Sequence, residues 1–249
     1  MDLLSLLGVC IAFAAIVSGN LLDGGALAPL LNAPAALVVF GGTIGAIILQ
    51  TPLNILSRGV KILRWIIIPP KISPRARLDR ILVISKTARR DGILGLEEIG
   101  LKEKNRTLRR GLLLLVDGFT PENIRQQLEE EIVHLEQRDL RAAVIFDHMG
   151  GYSPTIGIIG AVMGLIQVMS HLDQPEQVGA GIATAFVATI YGVGFANLLL
   201  FPIAGKLRDV IQNTSLTENL TLEGIVAIAE GEHPSVIESR LRGMSGLKA

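Results

Sequence analysis

The sequence predicts an all-α integral membrane protein, with four transmembrane helices in two hairpins and a helical cytoplasmic domain. Its 23 lysines and arginines all fall outside four apolar segments: Leu3–Leu22, Ala33–Pro52, Pro154–Leu172 and Gly179–Phe201. None of the four contains Asp or Glu either. Each segment is close to the ~20 residues that a helix needs to cross ~30 Å of hydrocarbon. The cations are also unevenly shared among the polar parts. Asn20–Asn32, with Asp23, and the stretch holding Asp173 and Glu176 have none, whereas 18 lie in Arg58–Arg141 and five from Lys206 onward. Cytoplasmic loops carry the excess of Lys and Arg, so both large polar parts and both termini are expected in the cytoplasm.

The chain divides accordingly into a first transmembrane hairpin at 1–53, an interfacial helix with a cytoplasmic helical domain at 54–152, a second hairpin at 153–204, and a cytoplasmic tail at 205–249. At 249 residues and 49% hydrophobic content it has the size of one large soluble domain, but the clustering of the apolar residues excludes that. The opening Met-Asp-Leu-Leu lacks the cationic start of a signal peptide, so the first segment is expected to be a retained span. The net charge of zero gives no electrostatic case for nucleic acid. Cys10 is the single cysteine, which excludes a disulfide within the chain.

After Pro52, the run Leu53–Ile68 interleaves Ile55, Leu56, Val60, Leu63 and Ile67 with Arg58, Lys61 and Arg64. Such a helix would lie along the membrane surface with its cations toward lipid headgroups. Pro69, Pro70 and Pro74 end it. Leu78, Ile81, Leu82 and Ile84 then predict a helix over Arg75–Arg90, stopped at Gly92. A further helix is expected across Lys104–Val116. Thr120-Pro121 is a helix start, with a hydroxyl at the cap and proline at the first position. Ile124, Leu128, Ile132 and Leu135 give that helix one apolar stripe, with Glu129, Glu130 and Glu131 on an acidic outer face, and it is expected to reach about Met149. The tail has weaker helical signals around Thr217–Glu230 and Pro234–Arg242.

Enzyme signatures are absent: the sequence has no phosphate-binding G-x-x-x-x-G-K-[S/T], no H-E-x-x-H and no G-x-S-x-G. His134, His148, His171 and His233 are scattered singly, with no cysteine near them to complete a metal set. No cofactor is expected. The spans are rich in small residues, and Gly41 to Gly45 and Gly160 to Gly164 are both small-x-x-x-small, which predicts close helix packing within the chain or between copies. Pro154 opens the third segment and Pro202 closes the fourth, either as helix terminators or as a pair bracketing a hinge. A charge at mid-membrane costs roughly 2.5–3.5 kcal/mol on insertion scales, so where one occurs it is generally used, above all in proton relays. This chain has none. In an ion-driven machine the titrating group would come from another polypeptide.

Residues 150–166, Gly-Gly-Tyr-Ser-Pro-Thr-Ile-Gly-Ile-Ile-Gly-Ala-Val-Met-Gly-Leu-Ile, closely resemble the opening of the third span in MotA/PomA-type flagellar stator proteins. The resemblance extends over nearly the whole chain and includes Gly181–Pro202, which ends Asn-Leu-Leu-Leu-Phe-Pro. The related TolQ/ExbB proteins share the last two spans in outline but have three in total, so the first hairpin argues against a TolQ/ExbB-like energiser. A non-conducting membrane scaffold is the other competing reading.

The resemblance implies a torque generator of the bacterial inner membrane. Its subunits form a homo-oligomer, understood as a pentamer, around a MotB-type one-span partner that supplies the ion-binding aspartate. It implies conformational coupling through Pro154 and Pro202. It also implies a contact with the rotor protein FliG through Arg89, Arg90, Glu97 and Glu98, within Ala88–Glu98. Some relatives carry a further acid where this chain has Gly100. Sodium-driven relatives place hydroxyls at the positions matching Ala161, Ala188 and Thr189, and only Thr189 keeps one here. A dehydrated Na⁺ needs several oxygen ligands, so the coupling ion is expected to be H⁺.

Overall fold

The computed structural model describes residues 3–70, 73–173 and 175–245. Lys71 and Lys248, counted among the cations above, lie outside the described residues, as does the Glu176 side chain. The described residues contain helices and turns but no strand. Helix α1 runs over Leu3–Leu22, the bounds read from its apolar run. A 3-10 turn at Ala28–Leu30 leads to α2, residues 33–50. Asn32 caps α2, its Oδ1 accepting from the Ala35 N–H at 2.9 Å, and Pro34 sits in the first turn where a missing N–H costs nothing. Within α2 the backbone widens into a π turn at Leu37–Gly41 before continuing through Gly42–Gln50. Helix α3, Leu53–Leu63, closes in a 3-10 turn at Arg64–Ile66.

Helix α4, Pro74–Asp91, starts at Ser73, whose hydroxyl accepts from the Ala76 N–H at 3.2 Å. Gly92 ends it at φ +75°, a left-handed conformation that glycine adopts without strain. A 3-10 turn at Ile93–Leu96 leads to α5, Glu97–Lys102. Asn105 then caps α6, Arg106–Val116, by accepting from the Leu108 N–H at 2.8 Å. Helix α7 starts at Pro121 and runs unbroken for 49 residues to Met169. Helix α8 covers residues 175–229 as Pro175–Phe195, a π turn at Ala196–Leu200, and Phe201–Ala229. Helix α9 is Pro234–Ser245.

Of the two readings of Pro154 and Pro202, the long helices set aside the one in which they mark helix ends. Both lie inside continuous helices. An apolar segment ends where lipid contact ends, whereas a helix ends where its backbone bonding stops, and the two need not coincide. Proline costs a helix one backbone bond rather than forbidding it. At Pro202 the chain precedes the proline with the π turn, in which the Phe201 N–H reaches back to the Ala196 carbonyl.

The chain forms two compact units, one drawn from Met1–Pro69 and Asp139–Arg208, the other from Pro70–Arg138 and Asp209–Ala249. The second unit has a conventional apolar core. Leu78 and Ile81 of α4, Leu112 of α6, Leu128 of α7, Ile225 of α8 and Ile237 of α9 are all buried in it. Each helix contributes residues at three- and four-residue spacing, the stripe that faces a core. Gly224 lets α8 approach α4, since a Cβ there would lie 2.6 Å from Ile81 Cγ2. Glu131, expected on the outer acidic face, is turned inward to pair with Arg106 and Arg110. Arg125 and Arg240 both pair with Glu223, and the bond from Arg125 holds that carboxyl below the usual range.

Among the described residues three helical stretches are long and apolar enough to cross a membrane: Ala28–Gln50, Pro121–Met169 and Val178–Ala229. Leu7–Leu22 is a shorter apolar run. Ala35 and Val39 of α2 pack on Val187 and Ala188 of α8. Phe40 stacks on Tyr191 with centroids 5.8 Å apart and meets Phe195 edge-on at 4.9 Å.

Candidate functional site

In the first unit α7 and α8 meet along a seam built from small residues. A Cβ placed at Gly157 would lie 2.9 Å from the Ala188 carbonyl oxygen, and one at Gly164 would lie 2.9 Å from both Ala185 N and Gly181 O. On the facing helix, a Cβ at Gly192 would lie 2.6 Å from the Ser153 carbonyl oxygen and 3.2 Å from Pro154 Cα. These neighbours are backbone atoms that cannot rotate away. The two helices therefore touch main chain to main chain from Pro154 to Gly164, as small residues permit where no water drives association. Gly160 belongs to the same seam, 2.8 Å from Ala188 Cβ on the same construction, whereas Gly41 has only Leu37 Cδ1 at 4.0 Å and Gly45 has open space.

Ala188 is fully buried, while Ala161 and Thr189 are half-buried. Each of the two adjoins a seam residue, Gly160 and Ala188 respectively. The Thr189 hydroxyl donates to the Ala185 carbonyl at 3.2 Å, the bond a threonine makes to its own helix when no outside partner is present. Pro154 is half-buried against Gly192, and Pro202 is exposed. Ser153 is fully buried and its hydroxyl has no partner among the described residues.

The four charged residues expected at a rotor contact are all exposed, with Arg89 and Arg90 ending α4 and Glu97 and Glu98 opening α5. They do not pair with one another. Arg90 donates to Asp91 at 2.9 and 2.8 Å, and Lys102 donates to Glu98. The Lys102 hydrogen bond holds the Glu98 carboxyl below its usual range, and the Arg90 bond does the same for Asp91. Both carboxylates accordingly keep their charge further into acid than a free side chain would. Arg89 and Glu97 have no ion-pair partner among the described residues.

Sequence reasoning missed the contacts between segments far apart in the chain. Arg58 of α3 grips Asp139 of α7 with two hydrogen bonds, 2.8 and 2.6 Å, and its guanidinium sits 5.2 Å from the centre of the Trp65 ring. Asp139 is 8% exposed. Arg208 of α8 pairs with Asp147 of α7, and Lys206 donates to Ser5. At the far end of α2, Asn32 donates to the Thr184 hydroxyl at 2.8 Å and Tyr191 donates to the Leu30 carbonyl. Only the polarity of Thr184 and Tyr191 within an apolar segment could have signalled the last two.

Two family descriptions match the chain: Motility protein A N-terminal over residues 6–92 and the MotA/TolQ/ExbB proton channel family over residues 101–218. Motility protein A of Bacillus subtilis is 33% identical over 97% of this chain and 90% of its own length. Chemotaxis protein PomA of Vibrio alginolyticus is 30% identical over 97% of this chain and 94% of its own. Among solved structures, that of C. jejuni MotAB superposes with a TM-score of 0.93 at 30% identity, covering 98% of this chain and 96% of that one. The flagellar MotAB stator complex from Bacillus subtilis gives 0.87 at 33% identity, with 94% and 92% covered.

Proposed function

The chain belongs to the MotA/TolQ/ExbB proton channel family, and from that premise we propose that it passes protons inward across the bacterial inner membrane and turns their flow into torque on the flagellar rotor. It is a membrane protein and a flagellar stator subunit that works with a MotB-type partner, a subunit of a channel rather than an enzyme. The likeness over 98% of its length to a solved MotAB carries this reading. Motility relatives on this scale favour it over an energiser of outer-membrane processes and over a passive scaffold. We place four spans in the membrane, with α1 as the first and both termini in the cytoplasm, on the asymmetry of the cations. We take the assembly to be a ring of copies, a pentamer, around the one-span partner.

The absence of any Asp, Glu, Lys or Arg from the four apolar segments leaves the titrating carboxylate to the partner. Beside the α7–α8 seam this chain offers Ala161, Ala188 and Thr189. Two methyl groups and one hydroxyl are a poor set for Na⁺, a hard cation that takes several oxygen ligands, and adequate for a proton, which needs only a hydrogen-bonded route. Pro154 and Pro202 are the points at which the long helices bend during the cycle, because each withholds one backbone bond where α7 and α8 leave the membrane.

Arg89, Arg90, Glu97 and Glu98 meet opposite charges on FliG. Exposed pairs contribute only ~0–1 kcal/mol each. Weak, screened contacts suit a stepping interface, because a tight one would not release. Arg89 and Glu97 are free to pair at once, while Arg90 and Glu98 must first leave Asp91 and Lys102. Reversals at Arg89 and Glu97 should therefore weaken torque more than reversals at Arg90 and Glu98. Tethered-cell torque in a strain with no other stator tests this: Arg89→Glu with Glu97→Lys should turn the motor several-fold more weakly at normal membrane levels, and opposite reversals on FliG should restore part of the loss. Normal torque from the double reversal would remove these residues from the contact.

A further inference from the structure

His148 stands at the membrane–cytoplasm junction of α7, six residues before Pro154, in a three-residue hydrogen-bonded chain. Tyr152 Oη donates to Gln50 Oε1 at 2.6 Å, and Gln50 Nε2 lies 3.0 Å from His148 Nδ1. Gln50 is the last residue of α2, so the chain ties the end of one span to the mouth of another. The imidazole is exposed. It is the side chain type whose charge changes between pH 5 and 8.

Gln50 allows this site to hold its histidine in either protonation state. With the imidazole neutral, Nδ1 accepts from the Gln50 amide and Tyr152 donates to the Gln50 carbonyl, the arrangement observed. With a proton on Nδ1, the amide turns over: Oε1 accepts from Nδ1–H and Nε2 donates to Tyr152 Oη. No hydrogen bond between the three is lost, so the ring can gain and release a proton without leaving its place. Asp147, beside it on α7, is paired with Arg208 of α8, and Arg58 of α3 is paired with Asp139. Gln50 on α2 is uncharged. One residue beyond Tyr152, the buried and unpartnered Ser153 hydroxyl is a polar atom on the membrane side of the same chain.

We propose that His148 is the group on this chain that accepts protons leaving the pathway and hands them to the cytoplasm, held for that task by Gln50 and Tyr152. The inference rests on the proton-driven, cytoplasm-inside reading given above. Each transfer is a proton passed to Nδ1 and then released from the ring to water, with no other bond made or broken.

The test is motor speed with this subunit and its MotB-type partner as the only stator, at fixed external pH, while a permeant weak acid lowers cytoplasmic pH. Histidine as a residue type loses most of its neutral form between about pH 7.5 and pH 6. The parent motor should slow about three-fold or more across that window, and His148→Gln, at equal membrane abundance, should be slower at the upper end and nearly flat. Tyr152→Phe and Gln50→Leu keep the imidazole but not its holder, and should slow the motor across the whole window. If His148→Gln fails to accumulate, the two holder variants decide the matter. A profile identical to the parent's in the variants that accumulate would overturn the assignment. The same cells in sodium-free medium separate the two levels: a parent motor that stops there contradicts the proton reading itself, whereas one that runs while the variants keep its profile contradicts only the role of His148.

Discussion

Gly192→Val should abolish swimming and strip most of the protein from the membrane, while Gly194→Val, two residues along the same helix, should leave the subunit abundant. A Cβ at Gly192 would lie 2.6 Å from the Ser153 carbonyl oxygen and 3.1 Å from Gly157 Cα, whereas Gly194 has nothing within 4 Å. The obstacle at Gly192 is backbone on both sides. Relief requires α7 and α8 to separate along the whole run from Pro154 to Gly164, losing the contacts made by Gly157, Gly160 and Gly164 together. Overpacking a well-filled interior costs about 1–3 kcal/mol when side chains can shift, and the cost here should lie at the top of that range or above it. Quantitative blotting of membranes and thermal unfolding of the detergent-purified assembly measure it. Equal abundance of the two variants would mean that the seam is not the contact holding these helices.

Asp139→Ala should be the next most damaging change. It leaves the Arg58 guanidinium, three-quarters buried over Trp65, without the carboxylate that both its hydrogen bonds reach. Removing one partner of a buried pair costs about 3–5 kcal/mol, and the remaining exposure of Arg58 should bring that to about 2–3 kcal/mol. Asp139→Leu combined with Arg58→Met should recover most of the loss, because an apolar pair of similar volume carries no uncompensated charge. Asp147→Ala, which frees the more exposed Arg208, should cost about 1 kcal/mol or less. Thermal unfolding of the three variants ranks them. A double substitution as damaging as Asp139→Ala would show that packing, not the buried charge, sets the cost.

Much of the fold was legible because its signals are local. A run of about 20 uncharged residues marked α1 to the residue. Thr120-Pro121 marked the start of α7, and the stripe Ile124, Leu128 and Ile132 is buried as its spacing required. What stayed hidden depends on distant partners. Arg58 and Asp139 are 81 positions apart, and nothing near either says that they meet. The tail looked weakly helical because Thr217, Thr221 and Gly224 interrupt its apolar pattern, yet it supplies the middle of the second core. There each threonine hydroxyl satisfies itself on a carbonyl four residues back, and the glycine makes room for Ile81. Continuity through Pro154 and Pro202 was hidden for a related reason. Proline's local preference reads as a stop, and only the packing of α8 against the turn carrying Pro154 explains why α7 continues.

At the site itself, the small residues of α7 announced close packing, but not which glycines would serve. Gly160 and Gly164 lie in the seam; Gly41 and Gly45, with the same spacing, have no other helix within 4 Å of where a Cβ would lie. Spacing fixes only that a face is smooth.

The most direct test of a proton-driven stator is swimming speed in cells whose only stator is this chain with its MotB-type partner, followed as external sodium is replaced by potassium at fixed pH. The account predicts speed that holds through the exchange and collapses when a protonophore is added. Speed that falls toward zero as sodium is withdrawn would contradict it.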